Sequence, residues 1–178
     1  MKKVLIISTS PRKNSNSEAL AEAFAKGAQE AGHETELISL REKNISFCRG
    51  CFVCQEKLRC VIHDDADLIC QKALKADILV FATPIYYYEM SGQLKTLLDR
   101  LNPLFPSDYS FNDVYLLTAA AEDEEYVPQR AISGMAGWVE CFDRAKLAGT
   151  VFMGGVTSAG EKPEHSALEE AYLMGKKC

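Results

Sequence analysis

The chain has 178 residues, 47% hydrophobic and 25% charged, with a formal net charge of −5. That is enough chain to bury a full core, so one domain spanning residues 1–178 is expected. The acidic balance, without any basic run, argues against a nucleic-acid partner, and no apolar stretch reaches the roughly 18 residues that a membrane span needs.

The start, Met-Lys-Lys, runs directly into a short apolar segment with no small-residue cleavage site, so no membrane partner and a cytoplasmic location are expected. Lys3 to Ser8 is a continuous apolar run rich in β-branched residues, which suits a strand covered on both faces. From Ser17 apolar residues recur at helical spacing until Gly32, and Thr35 to Leu40 reads as a second strand. Between the first strand and the helix lies Ser8-Thr9-Ser10-Pro11-Arg12-Lys13-Asn14-Ser15-Asn16-Ser17. A turn lined with hydroxyls and amides that opens into a helix offers free backbone N–H groups and the positive end of a dipole, which is an anion site. Ser10, Ser15, Asn16 and Ser17 supply short donors and Arg12 a charge; Asn16 or Ser17 also suits an ordinary helix cap. Neither Gly-x-Gly-x-x-Gly nor Gly-x-x-x-x-Gly-Lys-Ser occurs here, so dinucleotide and P-loop sites of the usual kinds are disfavoured.

Residues 41–63 break the rhythm, and a long connection inside a compact domain is usually functional. Its cysteine-rich part, at about residues 45–63, holds Cys48, Cys51, Cys54 and Cys60 in the spacing Cys-x2-Cys-x2-Cys-x5-Cys. Four thiols so close point to metal ligation or redox chemistry rather than a disulfide framework. Three readings stay open: an Fe–S cluster on Cys48, Cys51, Cys54 and Cys60, metal-free thiols, or zinc on Cys48, Cys51, Cys60 and His63. Cys70 and Cys141 lie in helical patterns and read as buried packing residues.

Asp64 or Asp65 caps a helix running to about Lys75, and Asp77 to Ala82 reads as the third strand. A second polar loop, Thr83-Pro84-Ile85-Tyr86-Tyr87-Tyr88, follows, and Ser91 or Gly92 opens a helix that presents Leu94, Leu97, Leu98 and Leu101 on one face. Asp113 to Thr118 is the fourth strand, Ala119 to Glu125 a third loop, and about Arg130 to Lys146 a helix. Leu147 to Met153 is the fifth strand, Gly154 to Pro163 a loop, and Glu164 to Lys176 the last helix. Five strands alternating with five helices predict an α/β fold: a three-layer, doubly wound parallel sheet in the flavodoxin-like order 2-1-3-4-5. Ligands of such sheets bind beyond the carboxyl ends of the strands, where the three polar loops lie. No Ser-His-Asp order or paired-carboxylate motif appears, and His33, His63 and His165 lie apart.

The run Ser10 to Ser17 resembles the phosphate loop of the NADPH-dependent FMN reductase and iron-sulfur flavoprotein family. Thr83-Pro84-Ile85-Tyr86, with Met90-Ser91-Gly92-Gln93-Leu94-Lys95 and Asp99-Arg100, resembles that family's second flavin loop and the helix after it, and the likeness extends to Gly149-Thr150 and Gly154-Gly155. The chain departs from the pattern at Thr9, where the family usually has Gly.

The resemblance implies FMN, with its phosphate on the first loop and its ring bordered by Pro84, Ile85 and Tyr86, with Tyr87 and Tyr88 as further candidates. Thr118, Ala119 and Ala120 fall at the third loop, where small residues let backbone approach the ring. No catalytic side chain is expected, because flavin carries the chemistry. The implied activity is an NAD(P)H-dependent flavin or quinone-type reductase serving a small-molecule acceptor or a reduced electron carrier. The cysteine loop matches the family's compact motif, in which a [4Fe-4S] cluster passes electrons to FMN. A homodimer or homotetramer is implied too, in which a neighbouring chain covers the ring or brings a cluster into range. The alternatives are a non-enzymatic electron carrier and a zinc-binding member of the fold. A phosphoacceptor signalling domain would need acidic residues where Ser8-Thr9-Ser10 and Thr83-Pro84 stand.

Overall fold

The computed structural model describes residues 1–161 and 164–178. Five parallel strands, β1 (Lys3–Ser8), β2 (Glu34–Ser39), β3 (Ile78–Tyr86), β5 (Asp113–Ala119) and β6 (Lys146–Met153), lie in the order β2-β1-β3-β5-β6. This is the predicted order, with one addition: the two-residue β4 (Glu89–Met90) pairs antiparallel with the end of β3.

The inner strands β1, β3 and β5 read as unbroken apolar runs because each buries both faces, whereas β2 and β6 at the edges are partly exposed. Val4, Ile6, Ile78, Val80 and Leu117 point to one side, where α1 (Asn16–Glu30) and α6 (Ser166–Lys177) pack. Leu5, Ile7, Leu79, Phe81 and Leu116 point to the other, under α3 (Asp65–Ala73), α4 (Gly92–Arg100) and α5 (Gln129–Val139). Each buried aliphatic or aromatic side chain contributes about 1.5–3 kcal/mol, so these two clusters are the bulk of the stabilising term.

Where prediction and structure part, packing overrides local pattern. Residues 83–86 were expected as loop but continue β3: Thr83 and Pro84 pair with Thr118 and Ala119, then Ile85 and Tyr86 with Met90 and Glu89. Proline is tolerated because β1 ends beside Ala82, so no neighbour on that side awaits its missing N–H. The helix expected to reach Lys146 stops at Val139, since Phe142 turns inward against Phe111 and Trp138. Cys141, expected to be buried, is therefore exposed. The cysteine connection contains an unpredicted helical turn, α2 (Val53–Lys57), flanked by Phe52 and Leu58 at φ 57° and 56°. The loop expected over residues 154–163 falls in part, at Lys162 and Pro163, outside the described residues. Among the described residues no helix is long and apolar enough to cross a membrane.

Candidate functional site

The turn after β1 is built by its hydroxyls. Ser15 caps α1, its Oγ accepting from Glu18 N at 3.2 Å, while Glu18 accepts from Asn14 N at 3.0 Å. This near-capping-box pins the turn, and Asn14 takes the left-handed conformation (φ 54°) that asparagine tolerates well. The first amides of α1 have no intrahelical partner and face the end of the sheet. Glu18 would oppose an anion here, but Arg41 Nη1 lies 3.3 Å from its carboxylate and offsets the charge.

Thr9, the departure from the family's glycine, is wholly buried. Its backbone N–H and hydroxyl both donate to Ala82 O, at 2.9 and 3.1 Å, and the hydroxyl lies 3.1 Å from Ser91 Oγ. Thr83 Oγ1 donates to the same Ser91 Oγ at 3.2 Å, and Ser91 also caps α4. The side chain that glycine lacks thus ties the first loop to β3 and to α4.

These elements enclose a cleft of about 220 Å³ at the carboxyl ends of β1, β3 and β5. Its lining brings together Ser10, Arg12, Ser15, Asn16, Ser17, Pro84, Ile85, Tyr86, Ala119 and Ala120. Ala121, Val156 and Thr157 join them and were missed by sequence reasoning. The signal for the last two was Gly154-Gly155, a turn following the fifth strand at the same sheet edge. Arg12 Nη1 donates to Thr157 O at 2.7 Å and Asn16 Nδ2 to Ser158 O at 2.9 Å, so this loop roofs the turn. Gly154 lets this loop close on the third loop, for a Cβ there would lie 2.3 Å from Asp123 Oδ1 and 2.7 Å from Asp123 Cα.

Three expected residues stand outside the lining. Thr118 is buried within the sheet, its hydroxyl donating to Val151 O, because alternation along β5 sends it to the face opposite Leu117 and Ala119. Tyr87 and Tyr88 form the two-residue turn between β3 and β4, both with positive φ (51° and 66°), a strained geometry for aromatic residues. Tyr87 is 97% exposed. Tyr88 is held away from the cleft by Glu122 (3.3 Å from its hydroxyl) and by a stack on Tyr126, with its phenol pKa raised by the Glu122 hydrogen bond. The histidines have structural places. His33 accepts from Lys2 N, His165 caps α6, and exposed His63 lies 3.6 Å from Asp67.

A second cavity, of about 440 Å³, shares no lining residue with the cleft. Cys48, Cys51, Cys54 and Cys60 all line it, beside apolar Phe52, Val61, Leu98, Phe105 and Trp138. Three sulfurs accept hydrogen bonds: Cys48 from Gly50 N (3.4 Å), Cys60 from Ile62 N (3.5 Å) and Cys54 from Asn102 Nδ2 (3.0 Å). N–H donors on sulfur in an apolar pocket are the surroundings that Fe–S clusters use. Among the described residues no three His, Cys, Asp or Glu side chains converge on one ion, and His63 is turned to Asp67. Burial pushes the Cys70 thiol up to about 12, which leaves it an inert packing group.

Arg100 anchors this loop. Its side chain is fully buried, and Nη1 donates to Ser46 O (2.7 Å) and Asp64 Oδ2 (2.8 Å) while Nη2 donates to Ile62 O and Asp64 Oδ1 (both 2.9 Å). Burial alone would raise the Asp64 pKa, but Arg100 and the Ser46 and Ala66 amides hold it below the ordinary value. Asp67 is lowered as well, chiefly by its Arg59 hydrogen bond. A carboxylate with a depressed folded pKa contributes stability above the unfolded value and loses it as pH falls through the folded one. Urea unfolding is therefore expected to show stability falling below about pH 4, with a shallower acid limb in D64N. Identical limbs in the two proteins would refute the assignment.

The sequence profile of the NADPH-dependent FMN reductase family matches residues 2–126. The chain belongs to the NADPH-dependent FMN reductase family. It is 42% identical to an iron-sulfur flavoprotein of Methanocaldococcus jannaschii over 57% of this chain and 53% of that one. The chain thus spans about half the length of this relative. An iron-sulfur flavoprotein of Methanosarcina thermophila is 29% identical over 87% of this chain and 82% of its own. A solved azoreductase of Bacillus anthracis superposes with a TM-score of 0.75 at 20% identity, covering 100% of both chains, and so shares the fold.

Proposed function

We propose that this protein is an FMN-dependent oxidoreductase that takes reducing equivalents from NAD(P)H and passes them to a small acceptor, with a [4Fe-4S] cluster on the cysteine loop. The observation that carries this reading is the convergence of the hydroxyl turn, the Pro84–Tyr86 strand end and Ala119–Ala120 on one cleft. Bound FMN supplies hydride acceptance and one-electron transfer.

The residues do the positioning. The α1 amides, Ser10, Ser15 and Ser17 bind the phosphate, and Arg12, fixed to the roof by Thr157, brings positive charge to its edge. Pro84 and Ile85 give the ring a stiff apolar wall, and Ala119 to Ala121 let main chain come close where a larger side chain would intrude. Half-exposed Tyr86 leaves the outer face open to nicotinamide and acceptor. No side chain of the cleft is required to move a proton in the hydride step. Cys48, Cys51, Cys54 and Cys60 hold the cluster, and the iron-sulfur flavoprotein names of the relatives support that half of the reading. Cleft and cysteine cavity share no wall, so the reading includes a second copy of the chain that brings one protomer's cluster toward its partner's flavin.

Asn16→Asp tests the phosphate half. A carboxylate at the first position of α1 suits the helix but repels an anion, so FMN binding is expected to weaken roughly tenfold to hundredfold, about 1.4–2.7 kcal/mol. Riboflavin, which lacks the phosphate, should bind both proteins alike in a fluorescence-quenching titration. Equal loss for both flavins, or none for FMN, counts against the site. For the reaction, anaerobic FMN-loaded protein should oxidise NADH or NADPH with quinone or ferricyanide as acceptor, and carry iron and sulfide. Silence with every acceptor refutes the reductase reading.

A further inference from the structure

Among the described residues two buried side-chain polar atoms have no hydrogen-bond partner, Ser8 Oγ in the sheet and Arg100 Nε in the wall of the cysteine cavity. Arg100 ends α4, lines that cavity and has no exposed side-chain surface, yet its Nε is buried without a hydrogen-bond acceptor. The two terminal nitrogens are fully used on Ser46, Ile62 and Asp64, so Nε is the one donor of the guanidinium left over. Burial lowers the Arg100 pKa, but the Asp64 hydrogen bond and then Cys60 raise it further, so the group stays charged with Cys60 beside it. Two residues on, Asn102 already donates to Cys54 Sγ at 3.0 Å.

Arg49 also lines the cavity, and the other charges at its wall are balanced in pairs. Asp64 offsets the Arg100 charge, Asp67 is bound by Arg59, and Asp99 by Lys95 at 2.7 Å. What the end of α4 adds is directed N–H donors rather than net charge. Donors aimed at the sulfurs of an Fe–S group favour whichever oxidation state carries more negative charge.

We propose that Arg100 Nε and Asn102 Nδ2 form a sulfur-bonding edge that biases the group held by the four cysteines toward its one-electron-reduced state, an inference that rests on the cluster reading above. Arg100 Nε donates to the Cys60 thiolate or to an adjacent sulfide, and Asn102 to the Cys54 thiolate. Reduction brings in one electron from reduced flavin or another low-potential donor, adds one negative charge to the sulfur-rich group and moves no proton. Both donors are positioning residues, since neither takes part in electron or hydride transfer itself.

The test uses the full chain, purified anaerobically, with Arg100→Lys and Asn102→Ala. Lysine keeps the charge opposite Asp64 but has no Nε–H in the cavity wall; alanine removes the amide while leaving the loop anchor intact. A mediated redox titration followed by electron paramagnetic resonance reads the midpoint potential of the iron group. R100K is expected to disfavour reduction roughly tenfold, a midpoint lower by about 59 mV for a one-electron couple. N102A should move in the same direction by several-fold, and neither should change the flavin midpoint. An unchanged iron midpoint in either folded, iron-containing variant overturns the proposal while leaving the cluster in place. Should R100K fail to fold or to retain iron, N102A alone decides in the same way. Wild-type protein that contains neither iron nor sulfide overturns the proposal together with the cluster reading.

Discussion

Replacing Gly27 by alanine is expected to destabilise the protein by about 2–4 kcal/mol, lowering the thermal midpoint by roughly 4–16 °C. Gly27 lies inside α1, where alanine would ordinarily be favoured by about 1 kcal/mol. Here the added Cβ would lie 2.0 Å from Tyr172 O and 2.9 Å from Lys176 N, both backbone atoms of α6. No rotamer relieves a clash with main chain, so the two helices must separate. The contact is reciprocal: a Cβ on Gly175 would lie 2.1 Å from Phe24 O. Separation opens the layer where Leu20, Phe24, Ala28, Ala167 and Ala171 pack on the sheet, and each loses contacts. G175A should behave similarly, and the double variant should lose less than the sum, since one displacement relieves both clashes. The motion also carries Asn16 and the α1 amides away from the sheet edge, so FMN binding is expected to weaken in step with stability. A thermal midpoint at or above wild type in G27A would show that α1 and α6 are not in backbone contact.

Gly27 illustrates what the sequence conceals. Its helical surroundings are legible from periodicity, but the partner that forbids a side chain is about 145 residues away, and single-sequence patterns carry no such distance. The inner strands were legible because burial on both faces leaves continuous apolar runs such as Val4–Ile7 and Ile78–Ala82. The hairpin at 83–90 was not, because Pro84 reads as a stop unless one knows that β1 has already ended beside it. Likewise the cleft's floor came from motifs local to each loop, while its roof, Val156 and Thr157, is defined by contacts to Ala120 and Arg12. Tyr87 and Tyr88 sit next to three residues that do line the cleft, and only the left-handed turn turns them out. The cysteine spacing was plain, whereas Arg100, legible only as part of a helix resembling the family's pattern, gave no sign that it holds the cysteine loop together.

Asp64→Ala is expected to produce the other large effect, about 3–5 kcal/mol of lost stability together with loosening of residues 45–63. The Asp64 carboxylate accepts from both terminal nitrogens of Arg100 and from the amides of Ser46 and Ala66 at 2.8 and 3.1 Å. Alanine therefore leaves a fully buried guanidinium without its counter-ion and removes the cap of α3 in one step. Removing both partners is gentler than removing one, because no uncompensated charge remains. D64A/R100M should accordingly recover part of the stability lost in D64A, a positive coupling that urea denaturation of the four proteins measures. The loop gives an independent readout. In wild type, Arg100 holds Ser46 and Ile62, two ends of the cysteine segment, against one side chain, so limited proteolysis within residues 45–63 should be slow. D64A should be cut there first, and under the cluster reading proposed above it should lose iron on standing faster than wild type. The double variant, with its fold restored but no guanidinium to gather the two ends, should regain stability without regaining iron. A D64A protein that unfolds at wild-type urea concentrations, with its cysteine loop still protected, would mean that the loop is held by its own packing and that the buried pair is incidental to it.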